Sequence, residues 1–225
     1  MPIRYFRARL LPIILVALVL MGCGSRGSST AERRVPSSDA PACRMAESAL
    51  AEARKSFTVG DRPIHPGMIH EFNTWFEDNG PVTVAVEIFP ARGPARYMRA
   101  IARERGGWTE CSVKSLWPHC WESAPTINEP MFGYRRLGVL ADGTQVLRTY
   151  YCSGGSGIFM DLVFVRFAAE RAYDGRMRPY ARVVMSCPGV YDLGDRDDGT
   201  VQVLSDRVIV GPSTYREKEV VLKLE

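Results

Sequence analysis

The sequence predicts a single α+β domain, mainly an antiparallel β meander or a β-sandwich, with two helices packed on it. Three observations predict it. Small and apolar residues recur at helical spacing in residues 42–57. From residue 68 onward, apolar and polar residues alternate in short runs, as they do in half-buried strands. Turns containing Gly and Asp separate these runs, which favours strands joined in sequence over strands joined by crossover helices.

The first helix is predicted from Ala42 to Phe57, and Gly60 ends it. Its apolar stripe consists of Ala42, Ala46, Ala49, Leu50, Ala53 and Phe57. Ser38 or Asp39 can cap this helix, and Pro41 suits its first turn because a first-turn N–H needs no partner in the helix.

A hairpin and a second helix are predicted to follow. Residues Met68–Phe76 alternate into the turn signal Glu77-Asp78-Asn79-Gly80, and Val82, Val84, Val86 and Ile88 mark one face of a return strand. The second helix is predicted from Pro94 to Arg105, with Gly106-Gly107 closing it. Residues 108–129 show no clean period.

The rest of the chain predicts further strands. They are Tyr134–Leu140, Gln145–Cys152, Ile158–Phe167, Tyr180–Ser186, Val201–Leu204, Arg207–Val210 and Glu217–Leu224. Asp142-Gly143 and the Ser-Gly-Gly-Ser-Gly run of residues 153–157 are the turns between the first three.

The N-terminus carries an export signal. Arg4, Arg7 and Arg9 precede about a dozen apolar residues, too few to span a bilayer that needs roughly 20. The run ends in Leu20-Met21-Gly22-Cys23, which resembles the lipobox of bacterial lipoproteins, although Met21 stands where the family has a smaller or β-branched residue. The alternative is an ordinary secretory signal with an incidental Cys.

The lipoprotein resemblance implies a division of the chain and an address. Residues 1–22 would be a signal peptide, residues 23–41 a lipidated, flexible tether, and residues 42–225 the globular domain. Cys23 would carry the lipid anchor, since several acyl chains hold a protein on a membrane stably. Gly24 stands where an Asp would resemble an inner-membrane retention signal. In a cell with two membranes we therefore expect the outer membrane, with the domain facing the periplasm.

The charge balance argues against a nucleic-acid partner. The formal net charge is +4 and the sequence pI is about 8.8. Loss of three arginines with the signal leaves 29 − 3 = 26 basic against 25 acidic residues, a net charge of +1. A nucleic-acid-binding domain is typically far more basic.

Five cysteines remain beside Cys23: Cys43, Cys111, Cys120, Cys152 and Cys187. An exported chain favours disulfides. Cys111 and Cys120 flank one irregular loop and are the predicted pair. In a sequential meander Cys152 and Cys187 would share one end of the sheet, but two strand spacings of about 9.5 Å exceed the roughly 7 Å limit for a bridge. Cys43 takes either partner or stays reduced.

Two features suit binding better than catalysis. Arg92, Arg96, Arg99 and Arg103 recur at steps of four, three and four, which would put them on one face of the second helix, where they could meet phosphates or carboxylates. The loop from Trp108 to Trp121 also contains Trp117, and indole rings anchor sugars or protein partners. A solvated helix face and buried loop packing are the structural alternatives.

Signals for catalysis, metal or cofactor binding are weak. His65, His70 and Glu71 lie close together in the chain but lack the HExxH spacing of a metal-binding helix. Ser153 and Ser156 lack the GxSxG order of a nucleophile elbow, and the acidic run around Asp195 lacks the spacing of a calcium loop.

The sequence thus predicts a non-enzymatic, membrane-tethered envelope lipoprotein with no metal or cofactor, which binds an envelope protein or polysaccharide. An accessory, inhibitory or immunity role falls within this class. An envelope hydrolase or metal-dependent enzyme using His65, His70 and Glu71 is one alternative. A purely structural envelope component is another.

Overall fold

The computed structural model describes residues 40–72, 85–90, 103–112 and 131–224. Within these ranges it confirms an α+β domain of mainly antiparallel strands with two helices. The helices are α1 (Ala40–Ser56) and α2 (Pro66–His70). The strands are β1 (Thr58–Val59), β2 (Arg62–Pro63), β3 (Ala85–Phe89), β4 (Arg103–Arg105), β5 (Trp108–Ser112), β6 (Met131–Val139), β7 (Gln145–Cys152), β8 (Ile158–Tyr173), β9 (Pro179–Asp195), β10 (Val201–Val203), β11 (Val208–Val210) and β12 (Val220–Leu222).

Helix α1 confirms the predicted first helix. Ala46, Ala49, Ala53 and Phe57 of its stripe are buried, whereas Ala42 is exposed. The turn after it is held by Glu52, whose carboxylate accepts from the backbone N–H of Gly60 at 2.9 Å and of Asp61 at 2.8 Å. These two residues take positive φ, 61° and 59°, so the chain reverses into the small β1–β2 hairpin.

The predicted strand from Met68 to Phe76 is wrong over its first residues. Pro66 begins the short helix α2, and the Nδ1 atom of His65 caps it by accepting from the Gly67 N–H at 3.0 Å. Met68, Ile69 and Phe72 are all buried, which is a helical rather than an alternating pattern. Residues 73–84, with the predicted turn, lie outside the described residues. Strand β3 confirms the later part of the return strand, with Val86 and Ile88 buried.

The predicted second helix is also wrong where the structure describes it. Residues Arg103–Arg105 form β4, which pairs with β5 through a turn at Gly106 and Gly107. Both glycines have positive φ, 59° and 78°, the backbone that a tight turn needs and that only Gly adopts readily. Strand β5 itself lies in a segment without a clean period. Residues 91–102 lie outside the described residues.

One seven-stranded antiparallel sheet dominates the domain, in the order β3-β9-β8-β7-β6-β5-β4. Strand β7 agrees with its predicted bounds, β6 begins three residues before its predicted start and ends one residue early, and β8 and β9 run longer than predicted. Gln145, the first residue of β7, pairs with Val165, so the β8–β9 hairpin runs well past the end of β7. Helix α1 packs on β8 and β9 there, and Arg54 donates to the Phe167 carbonyl at 3.0 Å.

Hydrophobic residues pack on both faces of the large sheet. On one face, α1 and α2 cover Leu147, Val163 and Val165. On the other face, Val146, Leu162 and Phe164 pack against the three-stranded sheet β10-β11-β12. Neighbouring residues of one strand belong to opposite clusters because side chains alternate across a sheet. The three strands of the smaller sheet confirm the last three predicted strands.

The predicted signal peptide, Cys23 and the tether up to residue 39 lie outside the described residues. Among the residues that the structure describes, no helix combines the length and the apolar character needed to cross a membrane.

Candidate functional site

Strands β5, β6 and β7 place five side chains together on one face of the large sheet. Glu110 pairs with Gly133, which pairs with Tyr150, and Arg135 pairs with Arg148 one row further along. We call Trp108, Glu110, Arg135, Arg148 and Tyr150 the aromatic–arginine cluster. Tyr150 and Arg148 share the face of Val146, so the cluster lies on the same side as the small sheet.

Trp108 is the centre of the aromatic part of this cluster. Its ring meets that of Tyr150 edge to face, with centroids 5.1 Å apart and an interplanar angle of 83°. The guanidinium carbon of Arg135 lies over the Trp108 ring, 5.1 Å from its centroid. Both contacts favour a fixed orientation of the indole, because ring quadrupoles attract ring edges and cations. The predicted binding residue Trp108 is therefore half-buried and ordered.

Gly133 makes room for this arrangement. A Cβ at Gly133 would lie 3.0 Å from the Tyr150 Cζ and 3.1 Å from the Glu110 Cβ, closer than side chains normally approach. The Tyr150 ring thus crosses the strand at a position without a side chain. Its hydroxyl reaches the Glu110 carboxylate and donates to Oε2 at 2.5 Å. Burial, and then this hydrogen bond to Glu110, raises the pKa of Tyr150.

The cationic part of the cluster contains more arginine than carboxylate. Arg148 donates to Asp197 Oδ2 at 2.8 Å, and Arg216 donates to Asp197 Oδ1 at 2.6 Å. The Asp197 side chain is fully buried, whereas those of Arg148 and Arg216 are 11% and 13% exposed. One carboxylate therefore serves two guanidinium groups. Burial chiefly lowers the pKa of Arg148; the charge of Asp197 opposes this, and those of Arg135 and Arg216 add to it.

Arg135 stands directly opposite Arg148 in the sheet, an unfavourable like-charge pair. Within the described ranges no ion pair engages Arg135, and its Nε atom is buried without a hydrogen-bond partner. The Arg135 guanidinium instead makes a cation–π contact with the face of the Trp108 ring. Arg135 is half-buried, has no acidic partner among the described residues and is oriented by an indole. Such a guanidinium can bind both oxygens of a carboxylate or phosphate.

The Trp loop joins the sheet beside this cluster. Ser112 of β5 and Met131 of β6 pair directly, and residues 113–130 connect them in the sequence. Trp117, Trp121 and Cys120 belong to that segment and lie outside the described residues. Cys111 is buried and forms no disulfide with another described residue; burial raises the pKa of its thiol form to about 12. The Cys111–Cys120 pairing stays a prediction.

The predicted arginine stripe does not form as proposed where the structure describes it. Arg103 lies in β4 and pairs with Glu110 in the register of β5, so it is not on a helix. Arg92, Arg96 and Arg99 lie outside the described residues. Arg135, Arg148 and Tyr150 were not among the residues predicted from the sequence. A hairpin register counted from the Asp142-Gly143 turn would have placed the two arginines near each other.

The predicted position of Cys152 and Cys187 at one end of the sheet is wrong. Cys152 pairs with Ile158, at the start of β8, whereas Cys187 follows Ser186, which pairs with Arg166. The residues between Ile158 and Arg166 span about 25 Å of strand. The extra length of β9 causes the difference, since its continuation beyond Ser186 lies alongside residues 159–164 of β8.

His65 and His70, the histidines of the alternative enzyme hypothesis, make contacts that stabilise the fold. His65 caps α2, and His70 meets the Phe132 ring edge to face at 4.9 Å. Across the described part of the chain, no group of three or more His, Cys, Asp or Glu side chains could hold a metal ion. In the acidic run, Asp192 accepts from the Gly194 N–H at 2.7 Å, and Asp195 accepts from the Ile158 N–H at 2.8 Å.

A second buried acid was not predicted from the sequence. Asp161 of β8 is 6% exposed and stands opposite Asp192 of β9 and Thr149 of β7. Burial, and then the charge of Asp192, raises the pKa of Asp161 to about 7. Part of the Asp161 population is therefore protonated at neutral pH.

Comparison with known proteins places this arrangement in no described family. No protein-family model, no curated protein and no solved structure matches the chain.

Proposed function

We propose that the protein is a membrane-tethered envelope lipoprotein that acts by binding, without catalysis, and that its partner is a protein with an acidic surface. The observation that carries the proposal is Arg135, held against Trp108 with no ion pair among the described residues. In this proposal the lipobox-like residues 20–23 provide the lipid anchor at Cys23. An accessory, inhibitory or immunity role would use such a site.

The residue types of the cluster support a protein partner. Trp, Tyr and Arg are the residues most enriched where alanine substitution abolishes protein association. Here one of each lies in mutual contact on a sheet face, and rigid strands position all three. A preorganised anchor loses little conformational entropy on binding. The nearby loop carries two further tryptophans, Trp117 and Trp121.

The charge distribution supports an acidic partner. Arg148 and Arg216 share the buried carboxylate of Asp197, Arg135 forms no ion pair with a described residue, and Glu110 is engaged by Tyr150. An incoming carboxylate would relieve the repulsion between Arg135 and Arg148 and accept from Arg135. Association at such a site is expected to weaken as salt rises.

Crosslinking in intact cells tests this proposal. The tagged, lipidated chain is crosslinked as wild type and as Arg135→Gln, with Arg207→Gln as the matched control. Arg207 directly precedes β11 of the small sheet, is 43% exposed and lies 3.6 Å from the exposed Asp206, away from the cluster. We expect a dominant captured protein that is lost in Arg135→Gln and kept in Arg207→Gln.

The captured protein is then purified and its affinity measured directly. Truncation of Arg135 or Trp108 should weaken the affinity roughly 30-fold or more, and the loss of affinity should be smaller at high salt. Equal capture of this protein by Arg135→Gln and Arg207→Gln would show that the cluster is not part of the interface. If the captured partner is an acidic polysaccharide, the proposed class of partner is wrong. If the chain shows a hydrolytic activity that is lost on substitution of His65 or His70, the proposal of a function without catalysis is wrong.

A further inference from the structure

The β8–β9 hairpin ends in a tip that combines exposed apolar and basic side chains. We call residues 171–178 the hairpin tip. Met177 is 75% exposed and Tyr173 is 56% exposed, both among the large hydrophobic side chains most exposed to solvent in the described residues. Arg171, Arg176 and Arg178 are exposed as well. An apolar side chain this exposed at the end of a hairpin packs little against the described part of the domain.

The tip is held in one conformation by Asp174. Its Oδ1 accepts from the backbone N–H of Arg176 at 2.8 Å and of Arg178 at 2.9 Å. The Met177 N–H donates to the Asp174 carbonyl at 2.9 Å, and Met177 adopts φ 59°, unusual for a residue other than Gly. The turn thus holds the backbone of Met177 in a defined conformation next to its central residues.

The charge of the tip is positive. Asp174 is its one acid; its side chain is 15% exposed, and its carboxylate is engaged within the turn, pairing with Arg178 at 2.7 Å. Three arginines against one aspartate leave a net charge of +2. Cationic groups around an apolar and aromatic centre are typical of surfaces that bind anionic lipid headgroups. Tyr and Met at the centre would enter the interface between headgroups and acyl chains.

The tether enters the domain beside this tip. Ala42, Cys43 and Ala46 of the first turns of α1 line a shallow groove with Arg171, Tyr180 and Ala181 of the hairpin. Residues 24–39 between the lipobox-like cysteine and α1 would reach about 20–24 Å as a flexible chain. A lipid on Cys23 therefore keeps the hairpin tip within reach of the membrane surface.

We propose that the hairpin tip docks on the anionic phospholipid headgroups of the membrane that holds the anchor. This inference rests on the lipidation in the proposed function. Docking would orient the domain: the cluster row at Leu162 and Arg148 lies about 35 Å of strand from Tyr173, so the aromatic–arginine cluster stays well separated from the docked tip. A single-chain tether alone would leave the domain free to rotate; a second contact fixes which face meets a partner.

Site-specific photocrosslinking tests the docking in the full lipidated chain. Met177→p-benzoylphenylalanine reports on the tip, and Tyr215→p-benzoylphenylalanine is the matched control, since Tyr215 is 65% exposed but lies in the small sheet's loop. Both are irradiated in intact cells and after reconstitution into vesicles of phosphatidylethanolamine with phosphatidylglycerol. We expect several-fold more phospholipid adduct at position 177 than at position 215.

Charge is tested in the same assay. Arg176→Gln combined with Arg178→Gln should lower the adduct at position 177, and Arg207→Gln should not. Vesicles of phosphatidylcholine alone should also lower it, as should high salt. Equal adducts at positions 177 and 215, or a protein adduct at position 177, would overturn the proposal. Mass spectrometry of the N-terminal peptide reports lipidation separately, so loss of the anchor is distinguishable from failure of the tip to dock.

Discussion

Arg216 donates to the fully buried carboxylate of Asp197 across 2.6 Å. Arg216 belongs to the loop between β11 and β12, and Asp197 follows the long strand β9. Because Arg148 of β7 holds the other oxygen of the same carboxylate, Asp197 connects the two sheets beside the aromatic–arginine cluster. The stability of the domain and the geometry of the cluster therefore depend on the same side chain.

Replacing Asp197 by Ala should destabilise the domain strongly. Loss of one partner from a buried ion pair costs about 3–5 kcal/mol, because the remaining charges stay buried without compensation. The free energy of unfolding, measured by urea denaturation, checks this. Asp206→Ala is the control: its carboxylate is 59% exposed and lies 3.6 Å from Arg207. A change below about 0.5 kcal/mol is expected there, and a similarly small loss at Asp197 would contradict the role given to the ion pairs.

Gly133→Ala should disturb the cluster from within. The added Cβ would meet the Tyr150 ring and the Glu110 Cβ, so either the ring moves or the strand shifts. Overpacking of this kind costs about 1–3 kcal/mol. The near-ultraviolet circular dichroism of Trp108 and Tyr150 should change as well, since the edge-to-face contact depends on the ring position.

The control for Gly133→Ala is Gly175→Ala. Gly175 lies in the β8–β9 turn, where a Cβ would meet no atom within 4 Å. It should be neutral or stabilise the domain by a few tenths of a kcal/mol through the unfolded state. In a Tyr150→Val background the cost of Gly133→Ala should fall. An unchanged cost there would mean that the ring is not the obstacle.

The strands that the sequence predicted correctly are those specified locally. Residues 145–167 alternate clearly and are bounded by turns of Gly, Ser and Asp, so β7 and the first part of β8 followed from pattern alone. Strand β5 did not, because a five-residue strand between two loops has too little pattern of its own. The spacing of apolar residues in the sequence does not indicate the short helix α2; Pro66 at its first position is the signal that marks its start.

The cluster required information that no local pattern contains. Trp108 was a candidate from its residue type, but its contact with Arg135 depends on β5 lying beside β6 in the sheet. Alternation fixes which face a side chain occupies and leaves strand order open. The buried Asp161 was missed for the same reason, since its opposition to Asp192 depends on the β8–β9 register and its bulge.

Thiol alkylation should separate Cys111 from Cys43. Cys43 is exposed, whereas Cys111 is 1% exposed and burial raises its pKa to about 12. The thiolate fraction of Cys111 at pH 8 is then roughly 1,000-fold below that of an ordinary cysteine. Under native conditions we expect Cys43 to react at the rate of a small thiol and Cys111 to stay unmodified, measured by peptide mass spectrometry.

The same experiment resolves the predicted Cys111–Cys120 bridge. After unfolding without reductant, a Cys111 thiol reacts at once, whereas a bridged Cys111 reacts only after reduction and appears in a peptide linked to Cys120. Rapid modification of Cys111 in the native protein would contradict its burial in the core.

Asp161 should make the stability of the domain depend on pH between about 4 and 7. Its pKa is raised to about 7 in the folded protein, against about 3.9 in an unfolded chain. Between these values the folded state binds more protons than the unfolded state, so the free energy of unfolding falls as pH rises. The contribution is fully present below pH 4 and lost above pH 7, with an upper limit of about 4 kcal/mol.

Asp161→Asn should remove this slope, because the amide keeps the shape and cannot ionise. The difference between the wild-type and variant unfolding free energies, measured from pH 4 to pH 8, isolates Asp161 from acids whose pKa is lowered, such as Asp142 and Asp174. Those acids contribute with the opposite sign and are common to both proteins. Asp192→Asn should flatten the slope only in part, since the charge of Asp192 is the smaller cause of the raised pKa. A slope that survives Asp161→Asn would assign the pH dependence to another group.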